Sequence, residues 1–183
     1  NGPIACLEHE PFRQFAREFM TMLVSDYPID GIIWDEPKDE QLISRHPDTL
    51  AAFGDDPTPE QMEDGFVDFL ADLTCHCLDL RDDLTITLFN QLFSTERFTQ
   101  ATCAIPGIAC AGYDGNLCMQ SMFHEAPEWR KYRIETAWGR TVAECGATGR
   151  KTFALVENML MPASASAEYE ANLDAYLANY KPD

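Results

Sequence analysis

Basic residues are scarce in this chain. Its 183 residues include 13 lysines and arginines against 31 aspartates and glutamates, which leaves a formal net charge of −18. Such a surplus of negative charge repels nucleic-acid phosphates and anionic lipid surfaces, so we expect no nucleic-acid partner and no membrane partner. The acidic residues are spread along the chain, and their general effect is a well-hydrated surface.

Long apolar runs are also missing. None approaches the roughly 20 residues of a membrane-spanning helix. The N-terminal sequence NGPIACLEHEPF has neither the basic region nor the apolar region of a secretory signal. We therefore expect a cytoplasmic protein. Because the chain starts with Asn and ends just after a helix-like segment, we interpret it as a fragment of a longer chain, in which an upstream signal stays open.

Disulfide, phosphate-binding and metal-binding patterns are not found either. The seven cysteines are odd in number and irregularly spaced, which predicts reduced, partly buried thiols. Neither GxGxxG nor GxxxxGK[ST] occurs. Cys75-His76-Cys77 is too tightly spaced for a structural zinc site. The sequence therefore predicts no cofactor and no metal ligand.

What the chain does contain is an alternation of helix and strand signals. Apolar residues at helical spacing predict helices over residues 11–25, 59–80, 127–147 and 166–180, with a further short helix that starts at about residue 94. The residues over 38–59 are predicted to form a polar loop. Thr58 and Gln61 form a capping-box pattern at the second helix. Strands are predicted at 31–34 and 84–89, with two more ending at Asp114 and at Glu157-Asn158. This alternation predicts one α/β domain over residues 1–183 with a parallel sheet.

Polar residues follow each predicted strand. They are Asp35-Glu36 in GIIWDEP, Asn90-Gln91, Asp114, and Glu157-Asn158 in LVENM. Ligands of parallel α/β sheets bind at the carboxyl ends of strands, so these positions predict a site. The alternative, that they are helix caps and turn residues, fits Asp114-Gly115 best. It fits Glu157 worst, because this carboxylate interrupts an apolar run.

Two predicted strands lie between WDEP and LVENM, as two strands lie between the catalytic strands four and seven of clan A. In this the chain resembles the C-terminal half of a (β/α)8 glycoside-hydrolase barrel, either of clan A or of an uncharacterised glycosidase family. The resemblance implies a partial TIM-type barrel of about four βα units. It implies Glu36 as the acid/base and Glu157 as the nucleophile that cleave an O-glycosidic bond. Clan A usually has Asn before the acid/base, where this chain has Asp35. Asp35 is therefore an alternative working acid.

The resemblance also implies a carbohydrate substrate. The predicted substrate-binding residues are Trp34, Asn90, Asp114, His124 and Asn158. Two other functions stay open: a metal-dependent barrel enzyme acting on a small acid through strand-end carboxylates, and a non-catalytic carbohydrate-binding barrel. Half a barrel would leave sheet edges unpaired, which predicts self-association through those edges and an inactive segment on its own.

Overall fold

The computed structural model describes residues 5–37, 44–91, 94–114 and 141–154, together with five helical positions between 167 and 178. The elements are, in chain order, α1 (Glu10–Asp26), β1 (Gly31–Asp35), α2 (Pro47–Phe53), α3 (Pro59–Leu80), β2 (Thr85–Gln91), α4 (Glu96–Cys103), β3 (Ile108–Asp114), a π-helical turn (Thr141–Cys145), a 3-10 turn (Gly146–Thr148) and β4 (Lys151–Ala154).

The four strands form one sheet in the order β1-β2-β3-β4, and every neighbouring pair is parallel. The predicted α/β class and the parallel sheet are therefore confirmed. Each strand lies beside the strand that precedes it in the chain, so the described segment is a run of adjacent β/α units. Among the described residues, no helix is long and apolar enough to cross a bilayer.

Helices α1 and α3 run parallel to each other. Three side-chain hydrogen bonds join them, and in each the partners are 55 positions apart in the chain. The pairs are Arg13 with Asp68, Arg17 with Asp72, and Thr21 with His76. A constant separation requires parallel helices. Because each helix ends shortly before the next strand begins, both helices start at the carboxyl edge of the sheet.

Local sequence explains where the long helix begins. The Thr58 side chain accepts from the Gln61 N–H, and the Gln61 side chain accepts in return from the Thr58 N–H, as the capping-box pattern predicts. The prediction of a polar loop over 38–59 was wrong in part, because α2 lies inside it. A seven-residue helix is too short to show an apolar period, and its starting Pro47 and terminating Gly54 are equally typical of loops.

The two faces of the sheet differ. In β2, Ile86, Leu88 and Asn90 are fully buried under the helices, whereas Thr87 and Phe89 between them are only partly buried. We call the second face the open face; Ile33 on β1, next to Thr87 in register, is 56% exposed there. The register between β2 and β3 shifts after Ile86. Because of this bulge, residues of β2 and β3 that are paired near the carboxyl edge point their side chains to the same face of the sheet.

Two predicted elements are described only in part. Of the predicted helix over 127–147, the part up to residue 140 lies outside the described residues. Its last residues form the π-helical turn and the start of the 3-10 turn. Strand β4 is described to Ala154, so its predicted end at Glu157-Asn158 lies outside the described residues. The described positions between 167 and 178 are helical and exposed, as the prediction of a last helix requires.

Candidate functional site

One row of residues crosses the sheet at its carboxyl edge. Asp35 is in register with Phe89, Phe89 with Gly112, and Gly112 with Phe153. We call these four residues the carboxyl-edge row. Because side chains alternate along a strand, Asp35 shares the open face with Ile33, two residues earlier. Its carboxylate is exposed. The structure therefore directs Asp35 to the face that the helices leave uncovered.

Two aromatic rings of the row touch each other. The centroids of Phe89 and Phe153 are 4.5 Å apart, with the rings tilted by 43°. Gly112 lies between them, and a Cβ there would approach the Phe153 carbonyl oxygen to 2.5 Å and the Phe153 Cε2 to 2.9 Å. The absence of a side chain at Gly112 is thus what lets the rings meet. The result is an apolar surface next to the Asp35 carboxylate.

Replacement of Gly112 by Ala is expected to lower the free energy of unfolding by about 1–3 kcal/mol, because the methyl group would displace the β4 backbone. Urea denaturation followed by circular dichroism measures this change. Gly146→Ala is the matched control: the nearest atom to its added methyl group is Thr152 Cγ2 at 3.8 Å, an ordinary contact. Equal effects of the two substitutions would contradict the close approach of the backbones at Gly112.

Glu36, directly after β1, has a strained backbone. Its φ is 45°, and within the described ranges it is the one residue other than glycine with positive φ. The left-handed region costs such a residue roughly 1–2 kcal/mol. The conformation is held on both sides, because the Glu36 N–H donates to the Phe89 carbonyl at 2.8 Å and Pro37 is buried. Strain of this kind concentrates at functional sites.

Two predicted substrate-binding residues face the other way. Trp34 points to α3, where its indole N–H donates to the Thr74 hydroxyl at 2.9 Å. Asn90 is fully buried, and its Oδ1 accepts from the Thr102 hydroxyl at 3.1 Å. This placement corrects the expectation that both contact a ligand at the strand ends. Each is one residue away from a member of the row, and one step along a strand turns a side chain to the opposite face.

The remaining predicted residues are only partly covered by the structure. Asp114 ends β3 in register with Gln91. His124, Glu157 and Asn158 lie outside the described residues. The pairing of a carboxylate on β1 with Glu157 therefore stays a prediction.

A buried polar network lies under the helix-covered face. The Tyr113 hydroxyl donates to the Glu144 carboxylate at 2.6 Å. The Asn90 amide nitrogen lies 3.5 Å from the Cys103 sulfur and 3.9 Å from the Cys145 sulfur. Hydrogen bonding with the Cys145 thiol lowers the pKa of Cys103, and the same contact raises the pKa of Cys145. The network ties the π-helical turn to β2 and β3, and we assign it a structural role.

The side chains of Cys75-His76-Cys77 diverge on α3. Cys75 is exposed, His76 bonds to Thr21, and Cys77 is fully buried, where burial raises the pKa of its thiol to about 11. Cys75 lines a shallow groove of about 340 Å³. The groove also contains Pro106 and Gly107, which precede β3. It therefore lies at the amino edge, away from the carboxyl-edge row.

Sequence reasoning missed a group of three side chains that could hold a metal ion: His9, His46 and Asp48, whose ligand atoms lie within 4.8 Å of one another. His9 is the N-cap of α1 and His46 the N-cap of α2. The sequence does contain a local signal for this group. HEP at residues 9–11 and HPD at residues 46–48 each combine a histidine, a carboxylate and a proline at the start of a helix. Their proximity in space, however, is a tertiary feature.

Comparisons with protein-family models, with curated proteins and with solved structures find no match to this chain. The site is therefore interpreted from its own chemistry.

Proposed function

We propose that this chain belongs to a (β/α)8 barrel that hydrolyses O-glycosidic bonds at the carboxyl edge of its strands. The sequential order of four parallel strands supports the barrel, because the strand order of a doubly wound sheet reverses at a switch point. The open face supports it as well. In a barrel this face is the interior, whereas the helices cover the outside.

The observation that carries the proposal is the carboxylate of Asp35 beside the ring pair of Phe89 and Phe153. Neighbouring strands are about 4.8 Å apart, so Asp35 and Phe89 are within reach of one bound sugar unit. A sugar ring offers a C–H face that packs on aromatic rings. Its glycosidic oxygen needs a proton from a carboxylic acid during cleavage. The carboxyl-edge row offers both groups on the same face.

We assign the acid role to Asp35 rather than to Glu36. The side chain of Asp35 lies on the open face of the sheet, whereas Glu36 follows the strand in a turn with a strained backbone. Glu157 remains the proposed second carboxylate, as the resemblance implies. Carboxyl groups about 5–5.5 Å apart would make the enzyme retaining, and about 6.5–9.5 Å would make it inverting.

Titration with oligosaccharides tests the substrate class. Calorimetry against a panel of α- and β-linked oligosaccharides is expected to find at least one that binds. Replacement of Phe89 by Ala should then weaken its binding by about tenfold, which corresponds to 1.4 kcal/mol, because the sugar loses half of its stacking surface.

Phe15→Ala is the matched control for this experiment. Phe15 lies on α1 and is 62% exposed, so the same truncation there should leave the affinity unchanged. Phe89→Leu keeps an apolar side chain and guards against a folding defect. Binding that Phe89→Ala does not weaken would contradict the proposed sugar surface.

A non-catalytic carbohydrate-binding barrel is the second candidate, and the same ring pair favours it. The two candidates differ in turnover alone, because a binding barrel needs the rings and not the acid. The metal-dependent alternative needs oxygen ligands that converge at the strand ends. Within the described ranges, the three-residue group able to hold a metal lies instead at the helix starts.

A further inference from the structure

We propose that His9, His46 and Asp48 form a binding site for a divalent metal ion of the zinc type. The site is independent of the proposed carboxylate chemistry, because it shares no residue with the carboxyl-edge row. It lies at the same end of the sheet, since α1 begins at the carboxyl edge and His9 is its N-cap.

The three side chains already have nearly the spacing that zinc requires. The Asp48 Oδ2 lies 2.7 Å from the His9 Nδ1 and 3.8 Å from the His46 Nδ1. The two imidazole centroids are 5.1 Å apart. With metal–ligand bonds of about 2.0–2.2 Å, tetrahedral ligand atoms are roughly 3.4 Å from one another. Small rotations of the two rings and the carboxylate would therefore bring all three ligand atoms onto one ion.

Both histidines can be released from their present contacts at low cost. His9 makes no side-chain capping bond to α1, and its ring turns to Asp48 instead. The His46 Nδ1 accepts from the Asp48 backbone N–H at 3.2 Å, which is a long capping bond. A metal ion would replace the proton between His9 and Asp48 and take over the lone pair of His46.

The backbone that carries the ligands is fixed by neighbouring contacts, one of them buried and one partly buried. Thr49, next to Asp48, is fully buried, and its hydroxyl donates to the Glu8 carboxylate at 2.7 Å. The Cys6 thiol lies 3.2 Å from the same hydroxyl. These contacts hold the segment before α1 against α2. The ligand positions are thus set by the fold, which lowers the ordering cost of binding.

The ligand set selects the class of metal. Two imidazoles and one carboxylate suit zinc and its neighbours in the first transition row, whereas Mg²⁺ and Ca²⁺ prefer oxygen ligands alone. The side chains are between 41% and 46% exposed, so a fourth position is open to water. Bound metal would clamp the segment before α1 to the connection between β1 and α3.

Calorimetry with Zn²⁺ and absorption spectroscopy with Co²⁺ test the site in the intact chain. We expect one equivalent to bind and Mg²⁺ not to compete. His9→Gln, His46→Gln and Asp48→Asn should each weaken binding by about tenfold or more, because each removes one ligand. His76→Gln is the control and should leave the affinity unchanged, because His76 bonds to Thr21 near the C-terminal ends of α1 and α3, whereas His9 lies at the N-terminal end of α1.

The Co²⁺ spectrum separates this site from adventitious binding by thiols. The proposed ligands give tetrahedral d–d bands without the near-ultraviolet charge-transfer band of cobalt thiolates. A thiolate band at the first equivalent, no binding at all, or equal weakening by His76→Gln would overturn the proposal. Circular dichroism of each variant checks that the fold is kept, which is expected because all three ligands lie at the surface.

Discussion

Replacement of Asp35 by Asn is expected to lower kcat for glycoside hydrolysis by about 10²–10⁴-fold, the usual contribution of a general acid or base. The amide has the shape of the carboxyl group but cannot donate an acidic proton to the leaving oxygen. KM should change little, because the Phe89 and Phe153 rings that would bind the sugar remain in place. An equal loss in kcat and kcat/KM identifies a contact made only in the transition state.

Initial rates on aryl glycosides measure this effect. The protein assayed is the one that the cell expresses from the gene. Asp30→Asn is the matched control, because Asp30 is exposed at the opposite, amino edge of β1. The dependence of kcat/KM on pH adds a second readout. In a bell-shaped profile one limb reports the titration of the general acid, and Asp35→Asn should remove that limb. If Glu36→Gln abolished turnover while Asp35→Asn retained it, the acid role would belong to Glu36.

The helices and strands were largely predictable because their signals are local. The capping box at Thr58 and the apolar period through Phe69 and Leu73 define α3 within the sequence itself, and the structure confirms its bounds. The apolar period of α1 similarly placed its ends within one residue of the observed Glu10 and Asp26. Helix α2 has no such period, and it was missed.

The site was predictable only as a region. The sequence places polar residues at strand ends, but which face they occupy depends on register, and register is set by pairing between distant segments. Asp35 and Trp34 are adjacent in the chain, yet the first faces the open side and the second donates to Thr74 on α3. The contact of Phe89 with Phe153 needed three strands in register and a glycine between them.

The histidine group shows the same limit. His9 and His46 are distant in sequence, and nothing local brings them together. The partly buried bond between Glu8 and Thr49 does so in the folded chain. Helix starts supply both histidines because an N-cap position leaves its side chain outside the helix.

Replacement of Phe98 by Ala is expected to lower the free energy of unfolding by about 3–5 kcal/mol. Phe98 is fully buried on α4 and packs edge-on against Phe66 of α3, with ring centroids 5.8 Å apart at 88°. Its backbone N–H also donates to the Thr95 side chain that caps α4. The truncation would open a cavity between α3 and α4 that neither helix can close, because Arg97, one residue away, holds α4 to the buried Glu63 of α3.

Chemical denaturation of the two Phe→Ala variants at Phe98 and Phe15 separates burial from residue type. Phe15 is 62% exposed, so its truncation should cost less than about 0.5 kcal/mol. Most domains have only about 5–15 kcal/mol of total stability, so the Phe98 variant would lie close to its unfolding threshold. Equal midpoints for the two variants would mean that α4 does not pack on α3 through Phe98.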